Sequence, residues 1–169
     1  MGFLHIYCGD GKGKTTAAIG LAIRAAGAGM RVCLVQLMKG REVAELDTLK
    51  LIPNISVKRC NRFYGFYKNM NENDKSEITV CHNELLKSAF DGKYNMIILD
   101  EFNSAYKHGL IDKELAERQI LDGKNIAEIV LTGRNPAEIF LENADYVSEI
   151  TCVKHPYKAG VKGRKGIEY

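Results

Sequence analysis

The strongest constraint on the fold is a glycine-rich stretch near the start of the chain, which reads CGDGKGKTT at residues 8–16. It follows an apolar run at 3–7 and leads into an alanine-rich run at 17–28, which predicts a strand, a turn and a helix in that order. Glycines let successive N–H groups point at an anion, and a helix N-terminus adds further free N–H groups and a positive dipole. We therefore predict a phosphate-binding loop in which Lys14 supplies a cation and Thr15 a hydroxyl ligand for Mg²⁺.

The spacing of this loop departs from the usual G-x-x-x-x-G-K-[ST] pattern. Counting back from Gly13, the first glycine should be residue 8, where this chain has Cys8, and Gly9 comes one residue late. The alternative is a glycine-rich turn that binds nothing, and the order of strand and helix around the loop argues against it. We interpret the short spacing as evidence against the ordinary use of such a loop rather than against phosphate binding.

Strand and helix signals alternate along the rest of the chain. Strands are predicted at 32–37, 55–60, 94–99, 126–131 and 146–153, and helices at 41–50, 72–90, 112–121 and 135–141. In the last helix, Asn135 is the expected N-cap and Pro136 the first helical residue. The alternation predicts an α/β fold of the P-loop NTPase type, with a mostly parallel central sheet of about six strands and helices on both faces. We expect one domain, 1–169.

Composition narrows the class of protein without naming a partner. Hydrophobic residues make up 46% and charged residues 27% of the chain, and the net charge is +3, as in ordinary globular proteins. No apolar stretch approaches the ~20 residues of a membrane span, and no signal peptide is visible, so we expect no membrane partner. The five cysteines include no C-x-x-C pair. We therefore expect neither a zinc site nor a disulfide framework, and a reduced, cytoplasmic setting.

Polar or flexible residues follow four predicted strands, at 9–15, 36–40, 100–103 and 132–134. If the sheet is parallel, these segments share one edge and can face one ligand. Asp100 and Glu101 can hold Mg²⁺ there, opposite Thr15, and a solvated acid pair is the alternative. Arg134 is either a bidentate phosphate contact or a surface arginine. Arg24, within the first helix, fits a buried ion pair and a ligand contact equally well.

Two further segments are unusual in composition. Residues 63–67 place four aromatics around a glycine, which fits either a small core under a loop or a lid that packs on a large flat ligand. The basic tail from 154 onward fits closure over a polyphosphate or a nucleic-acid footprint. Because the aromatic segment follows no RNA-binding signature, we expect no nucleic-acid partner.

Together these segments resemble the ATP:corrinoid adenosyltransferases. The matching segments are Gly9–Thr16, Val35–Gly40, Leu99–Glu101, Thr132–Arg134, Val147–Glu149, Val153–His155, Ala159–Lys162 and Gly166–Tyr169. The loop is the most specific of them, because that family shares the short spacing. The resemblance implies transfer of the 5′-deoxyadenosyl group of ATP to the Co(I) of a reduced corrinoid, with release of triphosphate, in adenosylcobalamin synthesis or salvage. A P-loop kinase or NTPase that transfers a phosphoryl group to a small molecule is the alternative.

The resemblance also implies roles for individual residues. Lys14, Thr15 and Glu101 would carry catalysis, with Mg²⁺ (or Mn²⁺) held by Thr15, Glu101 and Asp100. The residues implied to bind ATP are Gly9, Asp10, Gly11, Lys12, Gly13, Lys14, Thr15, Thr16, Arg24 and Arg134. The candidates for contact with the corrinoid are Phe63, Tyr64, Phe66 and Tyr67. Two partners are implied as well, a second copy of the chain in a homodimer and an electron donor such as a flavodoxin-like protein.

Overall fold

A computed structural model describes residues 2–39, 43–65 and 67–167 of the chain. Its strands are β1 Leu4–Cys8, β2 Val32–Gln36, β3 Ile55–Arg59, β4 Met96–Asp100, β5 Glu128–Thr132 and β6 Tyr146–Glu149. Its α-helices are α1 Lys14–Gly27, α2 Glu45–Leu49, α3 Glu72–Ala89, α4 Phe102–Lys107, α5 Lys113–Gly123 and α6 Glu138–Asn143. Short 3₁₀ turns lie at Tyr67–Asn69 and Pro156–Ala159.

The six strands form one sheet in the order β3-β2-β4-β5-β1-β6, and every neighbouring pair is parallel. The predicted α/β fold with a parallel sheet is therefore confirmed. The register pairs Gln36 with Asp100 and Tyr7 with Thr132, so the ends of four central strands lie side by side. The segments that follow these strands share one edge of the sheet, as parallel topology requires.

Each face of the sheet is covered by helices, and successive residues of β4 show how. Ile98 belongs to the apolar cluster that includes Ala18 and Ala22 of α1, where small side chains let the helix lie close to the sheet. Ile97 and Leu99 belong to the opposite cluster, with residues of α3, α4 and α5. A strand buried on both faces needs a continuous apolar run, which is why β4 lacks the alternation of a half-exposed strand.

One helix was not predicted, and two predicted element boundaries differ clearly from the structure. The sequence signals missed α4, whose N-cap residue Glu101 has a left-handed backbone (φ 59°) and no side-chain cap. The last helix begins at Glu138 rather than Pro136, because Asn135 has φ 51° and cannot take the extended backbone of an N-cap. The last strand ends at Glu149, four residues before the predicted end, because the following residues bond to the glycine loop.

The expectation of no disulfide is also wrong, because Cys60 and Cys81 are joined. Cys60 follows β3 and Cys81 lies within α3, 21 residues later, with their Cα atoms 6.2 Å apart. The packing of α3 beside the end of β3 creates this proximity, which cysteine spacing alone does not reveal. Across the part of the chain that the structure describes, no helix is both long and apolar enough to cross a membrane.

Candidate active site

The short spacing of the glycine loop has a simple structural basis. Cys8 is the last residue of β1, is 7% exposed, and pairs with Glu149 of β6. The strand therefore continues through the position where the usual motif has its first glycine, and the turn begins at Gly9, which has φ 93°. Only glycine adopts that backbone conformation without strain, so the chain places its first glycine there.

Three hydrogen bonds attach this loop to the residues that follow β6. The N–H of Gly11 donates to the carbonyl of Ile150 at 2.7 Å, and the N–H of Ile150 donates to the carbonyl of Cys8 at 2.9 Å. The N–H of Cys152 donates to Asp10 Oδ1 at 3.0 Å. This last bond is the main reason that the pKa of Asp10 lies below its ordinary value. The arrangement fixes the entry to the loop without a ligand contact.

The two loop residues with the clearest predicted roles are already engaged with the protein. Lys14 Nζ donates to the carbonyl of Gly11 at 2.7 Å, so the ammonium group lies against the loop itself. Thr15 Oγ1 donates to Asp100 Oδ1 at 2.8 Å. Because Lys14 and Thr15 form the first turn of α1, both lie at the positive end of that helix, where phosphate binds in loops of this kind.

Asp100 is the centre of a buried polar network. Its side chain is fully buried, and Oδ1 accepts a second hydroxyl hydrogen bond, from Thr132 at 2.7 Å. Oδ2 accepts from Lys39 Nζ at 2.5 Å, which balances the buried charge. Thr132 Oγ1 in turn accepts the N–H of Glu101 at 2.9 Å. A carboxylate that accepts this many hydrogen bonds holds its neighbours in place.

The oxygen donors at this edge fit the requirements of Mg²⁺, which prefers hard ligands such as hydroxyl and carboxylate. Glu101 is only partly buried, and its carboxylate accepts from Ser104 Oγ at 3.1 Å, which leaves acceptor capacity. Asp100 has both oxygens engaged, so it suits a role behind Thr15 better than direct ligation. Among the described residues, no group of three or more His, Cys, Asp or Glu forms a metal cluster.

The two arginines that were predicted to bind ATP lie in different parts of the structure. Arg134 is exposed at the end of β5, and its charge helps to lower the pKa of Asp10, so it lies within electrostatic range of the loop. Arg24 is exposed in the last turn of α1, which excludes the buried ion pair considered from sequence. Nine residues of helix separate Arg24 from Thr15, a rise of about 13 Å. Its contact with nucleotide stays a prediction.

Some residues of the aromatic segment pack against the protein, and another is exposed. Tyr64 and Tyr67 pack against a small apolar cluster of Met70, Ile78 and Leu110, as expected for a small core under a loop. Tyr67 also stacks on the ring of His108, with centroids 4.0 Å apart. Phe63 is 41% exposed, and the predicted contact Phe66 lies outside the described residues.

A small pocket lies between this aromatic segment and the end of β2. Its lining includes Tyr64 and Gly65 of the aromatic segment together with Lys39 and His82. Because Lys39 also contacts Asp100, the pocket adjoins the polar network around the glycine loop. The edge of the sheet that carries the glycine loop and the aromatic segment are thus neighbours.

Sequence reasoning missed three residues of this site as individual participants. Lys39 and Thr132 were expected only as parts of polar strand ends, and His82 of α3 was not singled out. Lys39 follows a buried strand, and Thr132 ends one. That position would have identified both residues if each polar strand-end residue had been considered separately. His82 had no such signal, because a lone histidine on a helix gives none.

Comparison with known proteins decides the family. The model for ATP:corrinoid adenosyltransferase BtuR/CobO/CobP matches residues 1–169, the whole chain. The chain belongs to the ATP:corrinoid adenosyltransferase family. The resemblance inferred from the loop and the strand ends is thereby confirmed, and the chain is an enzyme of this class rather than a phosphoryl-transfer kinase.

Individual relatives carry the same name. The corrinoid adenosyltransferase of Pseudomonas aeruginosa is 31% identical over 99% of this chain and 84% of its own length. Those of Escherichia coli K12 and Salmonella typhimurium are each 30% identical over 99% of this chain and 86% of theirs. Domain III of the Thermotoga maritima replication initiation protein DnaA superposes with a TM-score of 0.42 at 15% identity, over 87% of this chain and 53% of that one, and supports no conclusion.

Proposed function

We propose that this adenosyltransferase transfers the 5′-deoxyadenosyl group of ATP to the cobalt of a reduced corrinoid and releases triphosphate. The observation that carries the proposal is the glycine loop, whose Thr15 donates to the buried Asp100, in a chain that the family model matches throughout. In this reaction the electron pair of Co(I) forms the cobalt–carbon bond, and the C5′–O bond breaks toward the triphosphate. The protein therefore supplies no nucleophile, and its residues position the two substrates and stabilise charge.

The triphosphate belongs at the loop in this proposal. Residues 9–16 and the positive end of α1 receive it, and Lys14 exchanges its contact with the Gly11 carbonyl for a phosphate oxygen. Arg134 adds a contact from the end of β5, and Arg24 is a further candidate. The nucleotide lies in the sense that leaves its triphosphate in the loop as a leaving group and presents the ribose C5′ to the corrinoid.

We propose that Mg²⁺ or Mn²⁺ is held by Thr15 and Glu101, with Asp100 orienting the Thr15 hydroxyl. When bound, the ion neutralises charge on the triphosphate as it leaves. Glu101 suits this role because its left-handed backbone turns it out of β4 at the edge of the sheet, and because its side chain is partly exposed.

The corrinoid belongs against the aromatic segment, over Phe63, Tyr64, Phe66 and Tyr67. Supporting this, the pocket beside Tyr64 adjoins the phosphate-binding edge through Lys39. Aromatic side chains placed under the ring displace the lower ligand of cobalt, and four-coordinate Co(II) is easier to reduce. An electron donor such as a flavodoxin-like protein then supplies the electron that forms Co(I).

We further propose a homodimer that works in the cytoplasm, in adenosylcobalamin synthesis or salvage. The Cys60–Cys81 bond is unusual for a protein of that compartment. Sedimentation equilibrium tests the dimer, and a monomer at all working concentrations would exclude it. Turnover with a reduced flavodoxin-like protein in place of a chemical reductant tests the electron donor.

The decisive experiment combines the protein with ATP, Mg²⁺ and chemically reduced cobalamin. We expect the absorption spectrum of a cobalt–carbon bond and one triphosphate released for each bond formed. Release of ADP or phosphate without that spectrum would instead support phosphoryl transfer. A folded protein that forms neither product would refute the proposal.

A further inference from the structure

Lys39, which follows β2, lies inside the candidate triphosphate site although it is no part of the glycine loop. Its Nζ is 2.5 Å from Asp100 Oδ2 and 3.4 Å from Thr15 Oγ1. Thr15 is in the first turn of α1, where phosphate is expected. The Lys39 ammonium group is therefore one hydrogen bond away from the position of a bound triphosphate.

The backbone around Lys39 is fixed by side chains from two other elements. The preceding residue, Met38, has φ 58°, and its N–H donates to His82 Nε2 at 3.3 Å. His82 Nδ1 lies 2.7 Å from the carbonyl of Leu110, so the ring donates there and accepts from Met38. Arg59 donates to the carbonyl of Lys39 itself at 3.3 Å. A lysine held this firmly has a set direction, unlike most surface lysines.

A second feature of the same strand end indicates a polar ligand. Gln36 is 1% exposed and is the register partner of Asp100 in the sheet. Neither the nitrogen nor the oxygen of its amide has a hydrogen-bond partner within the described parts of the chain. Leaving a buried amide unpaired is unfavourable, so such a group in a native site marks a place where a ligand or its bound water makes contact.

Lys39 also lines the pocket beside Tyr64, so it lies between the glycine loop and the aromatic segment. The C5′–O bond of the bound ATP joins the part of the nucleotide that faces the corrinoid to the part held by the loop. A cation at this junction is closer to the breaking bond than one at the far end of the triphosphate.

We propose that Lys39 is a catalytic residue of this enzyme. Its ammonium group contacts the triphosphate and stabilises the negative charge that the leaving oxygen gains as the C5′–O bond breaks. The electron pair of that bond goes to the triphosphate oxygen, and the step transfers no proton. Asp100 aligns the ammonium group, and Lys14 acts on the same leaving group from within the loop. This role rests on the adenosyl transfer proposed above.

The test measures binding of inorganic tripolyphosphate as well as turnover. We expect Lys39→Met to weaken tripolyphosphate binding about tenfold to a hundredfold, the effect of one charge-assisted hydrogen bond, and to lower kcat with little change in corrinoid binding. Lys39→Arg should recover part of both. The matched control is Lys93→Met, because Lys93 pairs with Asp91 at 2.7 Å on the surface at the opposite edge of the sheet. That variant should match wild type.

A second measurement on the wild-type protein keeps the proposal testable if Lys39→Met does not fold. Acetylation of lysines, read by mass spectrometry, should slow at Lys39 in the presence of tripolyphosphate and stay unchanged at Lys93. Equal labelling of Lys39 with and without tripolyphosphate, while Lys14 is protected, would overturn the proposal. So would a folded Lys39→Met variant with wild-type tripolyphosphate binding and kcat. In both cases wild-type turnover stands, whereas failure of the proposed function would remove turnover from the wild type itself.

Discussion

The N–H of Gly11 donates to the carbonyl oxygen of Ile150 at 2.7 Å, which ties the middle of the phosphate loop to the chain that leaves β6. The tie requires close approach of two backbones. A Cβ on Gly11 would lie 2.6 Å from the carbonyl oxygen of Ile150, and a Cβ on Gly9 would lie 2.5 Å from the same atom. These two glycines are therefore required by the packing of the protein and not only by the ligand.

Gly11→Ala should separate the loop from Ile150, because the added methyl group meets backbone rather than a flexible side chain. We expect a loss of about 2 kcal/mol in the free energy of unfolding, together with weaker ATP binding. Gly20→Ala is the control, since a Cβ at this helical position meets nothing within 4 Å. It should stabilise the protein by about 0.5–1 kcal/mol. Urea unfolding measures the free energy of unfolding of both variants. Equal changes in the two would contradict the explanation.

Thr15→Val should remove a proposed metal ligand and the hydrogen bond to Asp100 while preserving the shape of the side chain. We expect Mg²⁺ to strengthen ATP binding to the wild type but not to this variant, with turnover reduced about a hundredfold or more. Thr15→Ser keeps the hydroxyl and should retain most of both properties. Titration calorimetry with and without Mg²⁺ measures the difference. A Thr15→Val protein that still responds to Mg²⁺ would exclude Thr15 as a ligand.

Phe63→Ala and Tyr67→Ala should differ in their effects on stability and on the reaction. Tyr67 stacks on His108 and packs on the apolar cluster beneath, so its loss should cost about 2 kcal/mol of stability. Phe63 is 41% exposed, so its loss should change stability less than the loss of Tyr67 does. If Phe63 lies against the corrinoid, its loss should slow reaction from Co(II) more than reaction from preformed Co(I). Equal slowing from both states would argue against that contact.

His82 should make stability depend on pH. Burial lowers its pKa from 6.5 to about 4, so the unfolded chain binds the proton more tightly than the folded protein does. Stability is therefore complete above pH 6.5 and falls as the pH drops toward 4, by about 3 kcal/mol in all. The difference between wild type and His82→Gln, measured by urea unfolding across this range, should show that loss.

Reduction of the Cys60–Cys81 bond should destabilise the protein without unfolding it. Closing a loop across 21 residues contributes about 3 kcal/mol in the chain-entropy description. We expect dithiothreitol to lower the melting temperature of the wild type and to leave the double variant Cys60→Ser, Cys81→Ser unchanged. Cys152→Ser, which removes a free cysteine, should respond like wild type. A wild type with no response to reductant would show that the bond contributes nothing to stability.

Much of this protein could be predicted from local sequence. The spacing of apolar residues determines which segments become strands and which become helices. Each kind of element buries the residues that its own repeat places on the same face. Parallel strands then require the segments after β1, β2, β4 and β5 to share an edge. The polar motifs and their order along the chain indicate the family. The start of the predicted helix at 112–121 is a further local success, since Asp112 accepts from the N–H of Leu115 and caps α5 there.

Only the tertiary structure decided how these segments meet. The bond from Gly11 to Ile150, the bond from Cys60 to Cys81 and the contact of Lys39 with Asp100 each join residues far apart in the chain. The spacing of hydrophobic residues does not predict such pairs, because nothing in the local sequence around either partner points to the other. The sequence by itself determined the fold class, the glycine loop and the kind of chemistry. The packing of strand ends determined which side chains surround that loop, because only folding brings them within hydrogen-bond distance.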